Sequence, residues 1–281
     1  MNDTPAIWPS RLHHIRIDST DPAGLIPFYR DGVGLRERPL GEDTWLLDGR
    51  KRRLIVGRGA ANGLAFAAFA MADAAAVDAL RGDLESRQVP IEPSPTPLFD
   101  DDAFAVRDPE GRPIVFGLPA MTYDGADGLA GRLQHFVVAT TDLPRLHAFY
   151  GDVLGLVVSD EVIDDESGEV TARFYRSDPE HHSFAAFRAP ESGFDHHAYE
   201  ADCWNDLRDW ADHFSRMHVT LFWGPGRHGP GDNLFFMVAD PDGNKVEISA
   251  ELEHMPLTMA KRTWPHAERT LNYWGQAWMR S

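Results

Sequence analysis

The chain is written twice. The segment that opens Arg11-Leu12-His13-His14-Ile15 and reaches Phe28-Tyr29-Arg30-Asp31-Gly32-Val33-Gly34-Leu35 recurs as Arg132-Leu133-Gln134-His135-Phe136, reaching Phe149-Tyr150-Gly151-Asp152-Val153-Leu154-Gly155-Leu156. In both copies the histidine, His14 or His135, precedes the tyrosine by 15 residues. The copies also close alike, with Asp108-Pro109-Glu110-Gly111 answering Asp240-Pro241-Asp242-Gly243 before an apolar run. Asp-Pro-x-Gly is tight-turn chemistry, because Pro fixes φ and Gly accepts positive φ. A repeat of this kind demands one supersecondary unit used more than once.

Within each copy the opening segment alternates as a half-buried strand does, and the stretch up to Phe-Tyr carries apolar residues at helical spacing. A glycine break and several short strands follow. The second half of each copy runs the same course. Gly63 to Ala67 reads as a strand before a helix over Asp73 to Arg87, and Phe194 to Ala201 as a strand before a helix from about Asn205 to Met217. The unit is therefore β-α-β-β-β, used four times. The fold expected is α+β, with two tandem domains, each pairing two modules into a curled, partly open, barrel-like sheet. The domains are expected at 1–125 and 126–255, joined through Thr122 to Gly131. A tail, 256–281, has no repeat partner, and its Trp264, Trp274 and Trp278 are expected to pack across a domain face or a subunit contact.

The repeat supplies its own control. His135, His196 and Glu247 fall at matched strand positions in the second copy, where the first copy has His14, Phe66 and Val115. Only the second set can chelate. Two imidazoles and a carboxylate with open positions suit non-haem iron(II) and oxygen chemistry, and a zinc hydrolase could use the same set. Two further histidines are suggestively placed: His182 on a strand running from Arg173 to Phe187, and His228 in the Gly-rich turn Trp223 to Gly231. Groups that titrate near neutrality beside a bound substrate can move protons.

Composition narrows the function further. Acidic residues outnumber basic ones 44 to 27, a formal net charge of -17, which disfavours nucleic acid and anionic membrane as partners. Cys203 is the only cysteine, so a metal must use His and carboxylates. No apolar run reaches the length of a membrane span, and a cytoplasmic protein is expected.

These residues carry a family resemblance over nearly the full length: the chain resembles a type I extradiol dioxygenase of the vicinal oxygen chelate superfamily. The most specific stretch is His228 to Glu247, with Phe236, Asp240-Pro241-x-Gly243 and Glu247 in the family's spacing. The resemblance implies Fe(II), with Mn(II) as the alternative ion, held by His135, His196 and Glu247. The Ala198-Tyr199-Glu200 register selects His196 over His197. It also implies His182 as the acid/base and His228 as a hydrogen-bonding group near the substrate hydroxyl. The reactants would be a small aromatic diol and O2, cleaved next to the diol, in an enzyme expected to form a homo-oligomer. Trp223, Phe235, Phe236 and Met237 are expected to wall the pocket. Met237 departs from the pattern, since the family places a tyrosine there. Two competing readings are a metal-dependent glyoxalase-type isomerase or lyase, and a metal-free small-molecule-binding protein of the same superfamily. The first usually needs a second carboxylate as base, and neither the His135 nor the His196 position offers one.

Overall fold

The computed structural model describes residues 4–121 and 131–280. The expected junction Thr122 to Gly131 lies, apart from Gly131, outside the described residues. The four-fold use of the unit is borne out. The first module comprises β1 (Ser10–Ser19), α1 (Pro22–Pro27) continuing into a π-helical turn, β2 (Arg36–Gly41), β3 (Thr44–Gly49) and β4 (Arg52–Arg58). The second has β5 (Gly63–Met71), α2 (Ala74–Ser86), β6 (Glu92–Pro93), β7 (Phe104–Arg107) and β8 (Pro113–Gly117). The third has β9 (Arg132–Thr140), α3 (Leu143–His147) with its own π-helical turn, β10 (Val157–Ile163), β11 (Val170–Arg176) and β12 (Phe184–Arg188). The fourth has β13 (Gly193–Ala201), α4 (Trp204–Arg216), β14 (Leu221–Arg227), β15 (Leu234–Ala239) and β16 (Lys245–Ala250). The tail adds β17 (Arg262–Pro265) and the short α5 (Glu268–Leu271).

Local chemistry sets the helix starts. Asp21, Asp73 and Asp142 each accept a backbone N–H from the first turn of the helix they precede, and Pro22 and Pro144 preorganise two of those turns. Each half forms one open sheet. The first runs β2-β3-β4-β1-β5-β8-β7-β6, and the second runs β14-β15-β16-β13-β9-β12-β11-β10-β17. Two modules thus pair through their opening strands, β1 with β5 and β9 with β13, both antiparallel.

The register makes the repeat literal. His14 faces Ala68 across β1 and β5, and Ala68 sits beside Val115 of β8. His135 faces Ala198 across β9 and β13, and Ala198 sits beside Glu247 of β16. The positions matched from sequence, His14/His135, Phe66/His196 and Val115/Glu247, therefore occupy equivalent places in the two sheets.

A continuous core joins the halves, drawing on Ile15, Phe69 and Phe116 from one and Phe136, Trp210 and Phe236 from the other. Two buried hydrogen bonds cross between the copies in reciprocal fashion. Tyr29 donates to Asp240 at 2.8 Å, and Tyr150 donates to Asp108 at 3.1 Å. The repeated Phe-Tyr of each copy thus engages the Asp-Pro turn of the other. Each hydroxyl meets a carboxylate out of water, so each bond is worth about 1.5–3 kcal/mol.

The tail lies on the second half. β17 extends its sheet in parallel with β10, Asp160 opposite Arg262. Trp278 packs edge-on against Phe222, with ring centres 5.0 Å apart, and near Trp223. Trp274 is 53% exposed, so the expectation of packing holds for Trp264 and Trp278 and only weakly for Trp274. Among the described residues no helix is long and apolar enough to cross a membrane.

Candidate metal centre and substrate cavity

Single side chains on three neighbouring strands of the second sheet converge: His135 from β9, His196 from β13 and Glu247 from β16. His135 Nε2 and His196 Nε2 are 3.4 Å apart. Glu247 Oε2 lies 3.8 Å from the first and 3.3 Å from the second. Donors about 2.1 Å from one ion, separated by angles of about 90–110°, lie about 3.0–3.4 Å from each other. The triangle is therefore the size of one face of a coordination shell. All three residues are buried.

Each imidazole is held with its other nitrogen occupied. His135 Nδ1 donates to the Gln134 side-chain carbonyl, whose amide in turn donates to the His182 backbone oxygen. His196 Nδ1 donates to Asp195 Oδ1. Both arrangements aim Nε2 at the shared point, as ligation requires. The neighbouring His197 faces the opposite side, stacked between Tyr29 and Phe194 in the core, with neither ring nitrogen hydrogen-bonded. Strand alternation thus separates His196 from His197.

The electrostatics fit a cation. Burial holds His135 down at about 3, that is, neutral. Burial would raise Glu247, but the hydrogen bond from His196 and the surrounding histidines outweigh it and hold it ionised at about 2. Burial also opposes charge on His196, yet Asp195 and Glu247 prevail and push it upward. A buried pair of imidazoles with an ionised carboxylate is a site whose negative charge asks for a positive partner. No metal is part of the structure, and the donor set suits iron(II) or manganese(II).

In the first half the corresponding space is filled. His14 Nε2 is engaged by Thr96 Oγ1 at 2.7 Å, its ring lies edge-on to Phe66 and Phe99, and Leu98 and Val115 complete an apolar plug.

A narrow pocket opens over the triangle. Its walls include Val137, Phe174, Phe187, Trp223, Met237 and Leu271, and its polar groups beyond the three donors are His182, His228 and Arg280. The strand expected from Arg173 to Phe187, with His182 on it, is not continuous. Instead, β11 ends at Arg176 and β12 begins at Phe184, and the intervening turn carries His182 to the cavity, its ring centre 4.3 Å from that of His135. His181 fixes its orientation. His181 Nε2 donates to Asp160 Oδ2 at 2.9 Å, and in the neutral imidazole this leaves Nδ1 as an acceptor 2.9 Å from His182 Nδ1. His182 therefore donates from Nδ1 and keeps Nε2 as a free base. Burial holds His182 well below the ordinary histidine range.

His228 follows directly on β14, because Trp223 to Arg227 is strand and not turn. It donates from Nδ1 to the Leu271 carbonyl at 2.5 Å, and its ring stacks on Phe235 at 3.8 Å. Its Nε2 is 3.9 Å from Glu247 Oε1. Of the four expected wall residues, Trp223 and Met237 line the cavity. Phe235 stands behind His228. Phe236 does not face the cavity at all: it alternates to the other side of β15 and packs in the main core against Phe214. Met237, paired across strands with Glu247, presents a thioether where a phenol would stand, and no tyrosine is among the described lining residues.

Sequence reasoning passed over Asp195, Gln134, Phe174, Phe187 and Arg280. The first two sit immediately before His196 and His135, which is the only local signal they carry.

The model of the Glyoxalase/Bleomycin resistance protein/Dioxygenase superfamily matches residues 132–248. Metapyrocatechase 2 of Cupriavidus necator is 35% identical over 151 residues, covering 52% of this chain but only 45% of that protein. The iron-dependent extradiol dioxygenase of Rhodococcus jostii is 26% identical over 265 residues, covering 85% and 88%. Among solved structures, homoprotocatechuate 2,3-dioxygenase of Brevibacterium fuscum, in complex with 3,4-dihydroxyphenylacetate, superposes with a TM-score of 0.83 at 23% identity, covering 98% of this chain and 91% of that one, which is a likeness of fold. Residues 132–248, the stretch that holds the donor triangle, are thus similar to the glyoxalase/bleomycin resistance protein/dioxygenase superfamily, and the chain spans about half the length of the metapyrocatechase it matches.

Proposed function

We propose that the protein is an iron(II)-dependent extradiol dioxygenase that opens the ring of a catechol beside its vicinal diol. The observation that carries this reading is the triangle of His135, His196 and Glu247 beneath a walled cavity, present in one copy of the repeat and plugged in the other. Residues 1–125 then serve as scaffold, 126–255 as the catalytic domain and 256–281 as a cap on it.

Iron(II) held by His135, His196 and Glu247 would supply a Lewis-acidic, redox-active centre for the diol and dioxygen. The chain's own groups do the rest. His182, neutral and with Nε2 free, accepts a proton from a diol hydroxyl and returns it to the product oxygen as the ring opens. His228, braced by the Leu271 carbonyl and Phe235, holds the second hydroxyl by hydrogen bond. Phe174, Phe187, Trp223 and Met237 clamp the ring faces and exclude water. With Met237 in place of a phenol, proton handling falls on His182 and His228 alone. The isomerase reading is weakened by the lack of a second carboxylate among the described lining residues, where Glu247 is the only one.

The finer parts of the reading are a small aromatic diol as substrate, a cytoplasmic setting and self-association. Support for the last comes from the fully exposed edge strand β2 and from exposed Trp274. A net charge of -17 speaks against nucleic acid or anionic membrane as a partner. The test is an anaerobically iron-loaded enzyme mixed with aerated mono- and bicyclic catechols, followed by oxygen uptake and by the yellow ring-opened product. One O2 consumed per diol supports the reading; no diol turned over by iron-replete protein ends it.

A further inference from the structure

The tail meets the candidate metal centre through one buried salt bridge that the mechanism above leaves unused. Arg280 directs two prongs at Asp195, Nε to Oδ2 at 2.8 Å and Nη2 to Oδ1 at 2.9 Å. Both side chains are nearly closed to solvent, at 6% and 7% exposure. The guanidinium is held over the rings of Trp278 and Phe187, at 4.0 and 4.4 Å from their centres. Asp195 Oδ1, one of the two oxygens so engaged, also accepts from His196 Nδ1.

Asp195 and His196 are adjacent on a strand, and adjacent side chains ordinarily face opposite ways. They meet because β13 carries a bulge. Phe194 pairs with Val138 and His196 with Val137, so Asp195 is the extra residue and is turned toward the His196 side. The first half has the same irregularity, with Arg16 opposite Phe66 and Ile17 opposite Leu64, and its extra residue is Ala65. The bulge is therefore common property of the repeat, whereas the carboxylate stands on it only in the half that assembles the donor triangle. No residue of the repeat supplies the matching cation. It comes from the tail.

We propose that Arg280 and Asp195 are a positioning pair for the metal centre, so that docking of the C-terminal tail and binding of the ion at His196 are coupled. A bidentate guanidinium fixes the carboxylate's plane, and the carboxylate fixes the tautomer and ring angle of His196. Because linkage is reciprocal, the ion must tighten the tail as much as the tail tightens the ion. Nε and Nη2 of Arg280 are engaged by Asp195 and Nη1 by the Trp278 carbonyl at 3.3 Å, so its donors are directed within the protein. This inference rests on His196 being a ligand, and otherwise stands apart from which reaction is catalysed.

The experiment uses cobalt(II) as a spectroscopic probe, titrated anaerobically against a chelator into the full chain. Wild type is expected to take one equivalent, lost in Glu247→Ala. Asp195→Ala and Arg280→Met are each expected to weaken Co(II) binding about 10–100-fold. They should also alter the d–d spectrum at saturation, and the double variant should be no worse than Asp195→Ala. Arg280→Lys, which keeps the charge and loses the fork, should fall between, and Asp195→Asn should recover part of the affinity. In wild type, Co(II) should slow hydrogen exchange across 262–280, and in Asp195→Ala it should not. Thermal melts identify any variant that fails to fold, and the Lys and Asn variants then carry the test. Co(II) affinities within about two-fold of wild type in folded Asp195→Ala and Arg280→Met would overturn the proposal. So would a rise in KM confined to 3,4-dihydroxyphenylacetate in Arg280→Met, which would make Arg280 a carboxylate receptor instead. If wild type binds Co(II) as described yet no catechol is opened by the iron form, the dioxygenase reading falls and the positioning pair stands.

Discussion

Replacing Glu247 by glutamine keeps its shape and removes its charge, and the consequences can be worked from the structure. Glu247 is 1% exposed and is held ionised at about 2 against an ordinary 4.5, with the His196 hydrogen bond outweighing burial. A depression of that size corresponds to about 3 kcal/mol in the folded, metal-free protein. The sign follows from the depressed value: this stabilisation is present above about pH 4.5 and is lost as the pH falls from there toward about 2. Chelator-treated Glu247→Gln should therefore melt roughly 5 °C or more below wild type at pH 6–7, and the two curves should converge as the pH approaches 2. Adding metal should widen the gap. A ligand at about 1,000 times its Kd contributes about 4 kcal/mol to wild type, and the variant should gain little of it. Differential scanning calorimetry from pH 2 to 7, with and without Mn(II), gives all of these numbers. Should metal-free Glu247→Gln prove as stable as wild type at neutral pH, or more so, the carboxylate would be a strained buried charge and not the partner of His196, and the electrostatic argument for the site would fail.

Further outcomes follow from the same contacts. Tyr29→Phe and Tyr150→Phe should each cost about 1–3 kcal/mol, since each leaves a buried carboxylate short of one hydrogen bond. Urea unfolding should find the two losses nearly additive. His182→Gln should lower kcat about 10²–10⁴-fold while leaving one metal per chain, as general acid/base work requires; steady-state oxygen uptake and metal analysis decide this. His197→Phe should retain metal, because that ring sits unbonded in the core, whereas His196→Ala should lose it.

Much of this was open to reading because the chain carries its own alignment. The repeated His-to-Tyr spacing and Asp-Pro turns gave the four modules, and matching Phe66 with His196 and Val115 with Glu247 proved to be the register in which the strands pair. Errors came where single-residue geometry decides. Phe236 and Met237 are neighbours on β15, which pairs without a bulge, so only one of them can face the cavity. His182 was placed on a strand that in fact breaks into a turn before it. The tail was harder still. Nothing in the order of residues says that Arg262 lies beside Asp160, or that Arg280 reaches Asp195, because the tail has no repeat partner to be aligned with. The reciprocal use of Tyr29 and Tyr150 was hidden for a similar reason: the repeat shows that each copy needs the tyrosine, not that it is spent on the other copy.

Iron stoichiometry across a small set of single alanine variants bears most directly on the site itself. Loaded anaerobically and desalted, wild type should carry one iron(II) per chain. His14→Ala, at the matching position in the plugged half, should carry one as well, and His135→Ala, His196→Ala and Glu247→Ala should each carry none. A full equivalent of iron retained by any of those three, or a loss on removing His14, would contradict the assignment of the metal to the second copy of the repeat.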